Sequence, residues 1–496
     1  TLGELHGFRY EISVGHTPME IIVLLAGIVY GLIIGLIPAA GATTGLIIIY
    51  GMMSFFASDP YLGVIFCMAV VAASTTGDTY SGILLGIPGA NSAAATMVDG
   101  YPLAKQGKAN FALTSAVTTS TLNGLIWGTL TFALLPWYVQ LIMYFGIPEL
   151  WAFIVLSLAC VGFVSNKFWV RSILAIVIGL ILGLVGVDPN TNVDRFTLGW
   201  GYLADGIQLM PFIAGLFAFP EIIDGWKQGK SVAKVANKDV GKQTWQGIKE
   251  VWRCKWDALR GGGIGAFIGF LPGIGGAMAD WMAYGSTVAT HPNEKFGNGN
   301  IRGVIGPEGA NNAQKATSMI PTVLFGIPGA GFAAVLLGLF MTLGFELGVP
   351  DLAYDDRFFD SLTFGFMWAT VIVGVLCLVF NRYIAMITYV PYVYYFPFLV
   401  AFIVWACVQY TGGIEDYIIL ALCTVLGIFA KKYKFSRPAM LMAFILAGKI
   451  EALTIQMTTL YTLDRLFDRP MFIGLVVAIL LLFAYGVSRK NKLEYA

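Results

Sequence analysis

Gly86-Ile87-Pro88-Gly89-Ala90 recurs as Gly326-Ile327-Pro328-Gly329-Ala330, 240 residues further along the chain. Each copy sits inside an apolar segment in which a helix is expected to run unbroken. Proline removes a backbone donor, and glycine costs about 1 kcal/mol against alanine in a helix interior, so each copy predicts a break. A break at membrane depth frees N–H and C=O groups that lipid cannot satisfy. It is tolerated only where protein or a wet cavity covers it. One such break in each half of a chain is the sequence pointer to a transporter's binding site.

The composition agrees. Of 496 residues, 57% are hydrophobic and 12% charged, against about 25% charged in a soluble domain. Apolar runs near the length of a bilayer crossing recur throughout, so the chain reads as an all-α polytopic membrane protein of about 12 to 14 helical segments, at roughly 20 residues per span. The net charge of +1 carries no nucleic-acid signal. The six cysteines lack metal spacing, and five lie in or beside apolar spans, where they read as small buried hydrophobes. The chain begins at Thr1 rather than at a methionine, so a start residue or short leader is expected before it; no cleavable signal is evident.

Around the two breaks the halves repeat. Gly27, Gly31 and Gly35, running into Pro38-Ala39-Ala40-Gly41, match Gly261, Gly265 and Gly269, running into Pro272-Gly273-Ile274-Gly275, at an offset of 234. Glycines spaced by four form a smooth groove for close helix packing. Gly124 to Trp127 matches Gly365 to Trp368 at an offset of 241, and Ala152 to Val155 matches Ala401 to Val404 at 249. Residues 1–224 and 261–496 are therefore read as two membrane repeats, the second carrying a further C-terminal span. Between them, residues 225–260 hold nine Lys/Arg against three Asp/Glu, with Trp245, Ile248, Trp252, Trp256 and Leu259 at helical spacing. This connector reads as an amphipathic helix lying in the cytoplasmic membrane interface.

Loop charge bears on the orientation of the repeats. Lys105 and Lys108 correspond to the Asp-rich 350–360; Lys167 and Arg171 to Glu415 and Asp416; Asp188 and Asp194 to Lys431, Lys432, Lys434 and Arg437. The excess of Lys and Arg marks cytoplasmic loops. The alternation gives inverted repeats, while an alternative alignment of Arg171–Asp188 with Arg437–Glu451 gives parallel ones. Arg489, Lys490 and Lys492 place the C-terminus in the cytoplasm. An elevator-like motion of the motif-bearing segments 19–100 and 261–345 against the more uniform spans fits this division.

Broken helices supply oriented backbone. Amides at a half-helix N-terminus bind carboxylate, and glycine lets a ligand approach them. The expected substrate-binding residues are Pro38, Gly41, Ala42, Thr43, Gly86, Pro88, Gly89, Asn91, Ser92, Pro272, Gly273, Gly275, Lys315, Gly326, Pro328 and Gly329. Freed carbonyls with hydroxyl and amide oxygens suit a monovalent cation, Na⁺ or, through a buried carboxylate, H⁺. The expected ion-binding residues are Thr44, Thr75, Thr76, Asp78, Asp280, Asn311 and Asn312. Ionisable residues within the core are costly and functional by default. Lys315 is weighed as substrate ligand or as ion-pair partner of Glu308, seven residues earlier, and Asp99 reads as part of a helix-end turn. No catalytic histidine pattern, paired cysteine or phosphate loop is present, so no cofactor and no enzymatic activity are expected. The alternatives are an ion or anion channel and, behind it, a membrane-embedded enzyme.

The chain resembles the large (TctA-type) permease subunit of the tripartite tricarboxylate transporters along nearly its whole length. Asp99-Gly100-Tyr101-Pro102-Leu103-Ala104-Lys105-Gln106-Gly107, Asp188-Pro189, Arg195-Phe196-Thr197, His291-Pro292 and Gly306-Pro307-Glu308-Gly309-Ala310-Asn311-Asn312-Ala313 carry the resemblance, beside the Gly-spaced helices. It implies a bacterial cytoplasmic-membrane importer of organic carboxylates, driven by an ion gradient. It also implies a small membrane subunit (TctB-type) and a periplasmic binding protein (TctC-type) as partners. Ala39, Ala40, Ala90 and Lys315 depart from the family pattern beside the expected site, so the resemblance implies organic carboxylates rather than tricarboxylate alone.

Overall fold

The computed structural model describes all residues except 1–16, 38–39, 87–88, 91–92, 136, 139–143, 165–168, 189–192, 229–239, 273–274, 349–351, 353–354, 388–391, 409–412 and 494–496. Pro38, Pro88, Asn91, Ser92 and Gly273 of the expected site lie outside the described residues. The described chain is helical apart from one two-stranded ribbon pairing Gly186–Val187 with Asp194–Arg195.

The first repeat runs α1 (Pro18–Leu36), α2 (Gly41–Tyr50), α3 (Pro60–Leu85), α4 (Ala94–Lys105), α5 (Ala109–Ala133), α6 (Ile147–Val164), α7 (Trp169–Gly183), α8 (Leu209–Ile213) and α9 (Phe219–Gln228). A π-helical turn, Ala214–Ala218, joins α8 to α9. Before α8, Gly201–Asp205 forms a separate 3₁₀ turn. Gly206, at φ +79°, turns the chain between them.

The connector forms α10 (Val240–Arg253) and leads into α11 (Lys255–Phe270). Trp245, Trp252 and Trp256 are exposed. The opposite side of α10 seats on α5, where Asn110 Nδ2 donates to Thr244 Oγ1 at 2.8 Å.

The second repeat continues with α12 (Gly276–Thr290), α13 (Arg302–Thr317), α14 (Gly331–Thr342), α15 (Asp356–Ile387), α16 (Tyr392–Val408), α17 (Glu415–Lys432) and α18 (Arg437–Leu460). The short α19 (Leu463–Phe467) and α20 (Pro470–Leu493) close the chain. Among the described residues, four helices are long and apolar enough to cross a membrane: Pro18–Leu36, Pro60–Leu85, Asp356–Ala385 and Arg437–Leu460.

The glycine grooves do what their spacing predicts. A methyl at Gly31 would stand 2.8 Å from the Val70 backbone, and one at Gly35 would fall on the Ser74 carbonyl. Methyls at Gly261 and Gly265 would likewise fall on the Gly306 and Ala310 backbones. So α1 lies directly on α3, and α11 on α13. With little hydrophobic drive between helices in lipid, such backbone approach is the main source of association.

Several contacts are exchanged between the two halves of the chain. Helix α3 packs on α15 and α13 on α5; α2 packs on α14 and α12 on α4. In the outer layer α7 packs on α18, and α17 on the α8–α9 segment. Each contact has a partner in which the repeats swap roles, as a two-fold relation requires. In this exchange α7 plays the role of α17 rather than of α18.

Candidate functional site

Both Gly-Ile-Pro-Gly-Ala copies break the chain by the same device. Gly86 ends α3 at φ +67° and Gly326 ends the helical stretch after α13 at φ +63°. Gly41 and Gly275, 234 residues apart, also lie at positive φ, +54° and +80°. Glycine takes this region without the steric cost that L side chains meet there. A π-helical turn, Ile320–Leu324, precedes the second break and contains Pro321, which cannot donate.

Each break folds back on its own helix. A methyl at Gly89 would stand 2.6 Å from Asp78 Oδ1, and one at Gly329 would stand 2.7 Å from Ser318 Cβ. Asp78 and Ser318 are themselves 240 residues apart. The symmetry therefore holds to the residue, while the chemistry differs between the copies: a carboxylate in one, a hydroxyl in the other. Gly329 N also donates to Thr322 Oγ1 at 3.1 Å. In the first repeat the two breaks touch, since a methyl at Gly41 would meet Ala90 Cβ at 2.9 Å. Gly275 faces open space.

Lys315 joins the two copies. It lies on α13, is 4% exposed, and its Nζ sits 4.4 Å from the centroid of the Phe332 ring, in the first turn after the second break. Its charge is felt by Asp78, which touches the first break and has both carboxylate oxygens buried without a hydrogen-bond partner. The expected pairing of Lys315 with Glu308 is corrected. Seven residues on one helix separate them by about 10 Å along the axis, and the carboxylate whose charge Lys315 feels is that of Asp78 on α3.

Glu308 belongs to a second polar group. Its Oε1 accepts from Thr79 Oγ1 at 3.0 Å, and Thr96 and Asn311 flank the same carboxylate. Asp280 approaches closely enough for the two carboxylates to repel, and its Oδ2 accepts from Ala95 N, at the start of α4, at 2.7 Å. Asp280 Oδ1 is buried without a partner, while Thr96 and Asn311 turn their side chains to the Glu308 carboxylate. Asn312 turns away toward α5, with Nδ2 3.5 Å from Ser120 O. Thr75 spends its donor on Val71 O at 2.7 Å, and Thr76 Oγ1 is buried and unpartnered. Ala42 and Thr44 are buried in α2 and Thr43 is half-buried there; Pro272 precedes Gly275 and Pro328 precedes Gly329.

Asp99 is not in a helix-end turn. It lies inside α4, fully buried, and its Oδ1 accepts from Gly299 N and Asn300 N at 2.9 Å each, while Tyr284 Oη donates to Oδ2 at 3.0 Å. It thereby fastens α4 to the loop between α12 and α13. In that loop a hydrogen bond from Asn300 and the Arg302 guanidinium hold the Glu294 carboxyl below the usual carboxylate range.

Sequence reading passed over Thr79, Thr96, Phe332 and Lys449 as site residues. Lys449 Nζ donates to Phe325 O at 2.9 Å, capping the carbonyl end exposed by the second break. A lysine in the middle of the apolar 437–460 was the available signal for it; a lone threonine or phenylalanine in a span gives none. A cavity of about 360 Å³ lies elsewhere, beside the ends of α2 and α14 at Tyr50, Ser54 and Thr342, and no expected site residue lines it. Among the described residues, no three His, Cys, Asp or Glu side chains gather as a metal site.

The sequence model of the tripartite tricarboxylate transporter TctA family matches residues 21–442. An uncharacterised 52.8 kDa protein of the TAR-I ttuC′ 3′ region of Agrobacterium vitis is 30% identical over 442 residues, covering 88% of this chain and 86% of the relative. An uncharacterised protein of the TAR-II ttuC′ 3′ region of the same organism is 30% identical over 194 residues, 38% of this chain and 78% of the relative. No solved structure matches.

Proposed function

The chain belongs to the tripartite tricarboxylate transporter TctA family, and from that premise we infer that it is the permease subunit of an importer of organic di- or tricarboxylates, driven by a Na⁺ or H⁺ gradient. The family is one of transporters, not enzymes, and the chain is a multi-pass membrane protein. The finer reading is ours: two inverted repeats, an elevator-like transport unit, an inner-membrane location with a cytoplasmic C-terminus, and dependence on a TctB-type membrane subunit and a TctC-type periplasmic binding protein.

One observation carries the substrate assignment. Asp78 lies against the first break and Lys315 beside the first turn after the second, and their charges interact, so that a buried ammonium stands close to both broken segments. Amides at helix starts and a fixed cation together suit a carboxylate-bearing anion. Asp78 keeps the ammonium from being an uncompensated charge before the substrate arrives.

The test is reconstitution. With both partners and an imposed ion gradient, vesicles should accumulate labelled tri- or dicarboxylate and show counterflow, which a channel does not. The chain without its partners should give little uptake. Full uptake by the lone chain would refute the tripartite part of the reading, and absence of counterflow would refute the carrier part.

A further inference from the structure

We propose that the oxygens gathered between Asp280 and Glu308 form the coupling-cation site, and that the cation is sodium; this rests on the importer reading above. Four helices converge here. Helix α3 brings Thr79, α4 brings Ala95 N and Thr96, α12 brings Asp280, and α13 brings Glu308 and Asn311. One oxygen of each carboxylate is taken by a protein donor. The other oxygen of Asp280 is buried without a partner, and Thr96 and Asn311 turn their side chains to Glu308 while their own acceptor oxygens stay buried and free. Two carboxylates near enough to repel need a positive charge. The fixed charges that face this region are Asp78 on α3 and Lys315 on α13, and Lys315 is engaged by Asp78 rather than by either carboxylate here.

The donor set selects the cation. A proton on one carboxylate adds a single donor and leaves unused the acceptor oxygens of Thr96 and Asn311, whose donors already face Glu308. An ion coordinated by several hard oxygens satisfies carboxylate, hydroxyl and amide oxygens at once. Two carboxylates, with the nearby Asp78 offset by Lys315, fit a monovalent ion better than calcium, which takes six to eight oxygens. The position explains coupling. Thr79 precedes the first break and Ala95 and Thr96 follow it, so a bound ion ties together the two ends of the segment that carries Gly89. Sodium would then order the substrate-binding backbone before substrate arrives.

The experiment needs no substrate. The purified full chain is melted across a series of NaCl concentrations, with choline chloride holding ionic strength and pH fixed. The expected result is a saturable, sodium-specific rise in Tm. Glu308→Gln and Asp280→Asn should raise the half-saturating Na⁺ at least tenfold. If those variants do not fold, Thr96→Val and Asn311→Ala, which keep both carboxylates, should still raise it several-fold. No sodium-specific rise, or a half-saturation unmoved in all the variants that fold, overturns the proposal. So does stabilisation that is indifferent to sodium, follows pH, and disappears in Glu308→Gln, which assigns a proton instead. Uptake in vesicles separates the two readings. Carboxylate uptake indifferent to sodium removes this site and keeps the importer. A sodium-dependent Tm that moves in the variants, without carboxylate uptake, keeps the site and removes the importer.

Discussion

At the scale of single residues, the chemistry of the site turns on one ammonium and four glycines. Replacing Lys315 with Ala leaves Asp78 buried without the nearby positive charge that offsets it, and an uncompensated buried charge is destabilising. The Tm should fall, and adding Asp78→Asn should recover part of the loss. The KM for carboxylate should rise at least tenfold in Lys315→Ala while the half-saturating cation concentration moves less than twofold. A KM unchanged in a folded Lys315→Ala protein would take the ammonium out of the substrate site. The glycines separate two causes of strain. Gly275 has positive φ and open space around its Cβ position, so Gly275→Ala should cost only the backbone term of about 1–2 kcal/mol. In Gly35→Ala the methyl falls on the Ser74 carbonyl and must push α1 off α3. Melting curves should rank Gly35→Ala as clearly the less stable, and the reverse order would show that the groove can relax.

At the scale of elements, α4 is held at both ends by groups from the second repeat. Asp280 takes the amide of Ala95 at its start, and the Asp99 carboxylate takes the amides of Gly299 and Asn300 and the hydroxyl of Tyr284. Gln106, just past its end, donates to Asn298 O at 2.9 Å. Asp99→Ala removes three of these bonds and leaves donors unpaired, at about 1–3 kcal/mol for each that stays buried. Amide exchange at residues 298–301 should quicken markedly in Asp99→Ala while exchange in α1 and α3 stays unchanged. Equal quickening across the chain would mean a global loss of stability rather than release of one clasp.

At the scale of the whole molecule, the exchanged contacts make each repeat complete only in the presence of the other. Helix α3 finds its outer neighbour in α15, and α13 finds its own in α5. The proposed inverted arrangement, in which basic and acidic loops alternate, predicts opposite sidedness for Lys105 and Asp355. All six native cysteines are buried and none is disulfide-bonded, so labelling by a membrane-impermeant maleimide should have a low background. Lys105→Cys should label only from the cytoplasmic side and Asp355→Cys only from the other. Labelling of both from one side would make the repeats parallel.

What the sequence determined by itself was local. Period, apolar run length and the Gly-Pro pairs act through backbone sterics and solvation over a few residues. They are therefore legible in α1, α3, α11 and the four breaks without knowing any neighbour. The family resemblance was legible for the same reason, since Asp99-Gly100-Tyr101-Pro102 and the Gly306–Ala313 run are contiguous. Which charges meet is a different kind of fact. Lys315 reads equally well toward Glu308 on its own helix or toward any other helix, and only the packing of α13 beside α3 gives it to Asp78. Thr79, Thr96, Asp280 and Glu308 come from four helices separated by up to 229 residues. No spacing rule connects them, because the polar groups of a membrane interior choose partners by which helices cross, and that is decided by backbone approach at the glycine grooves.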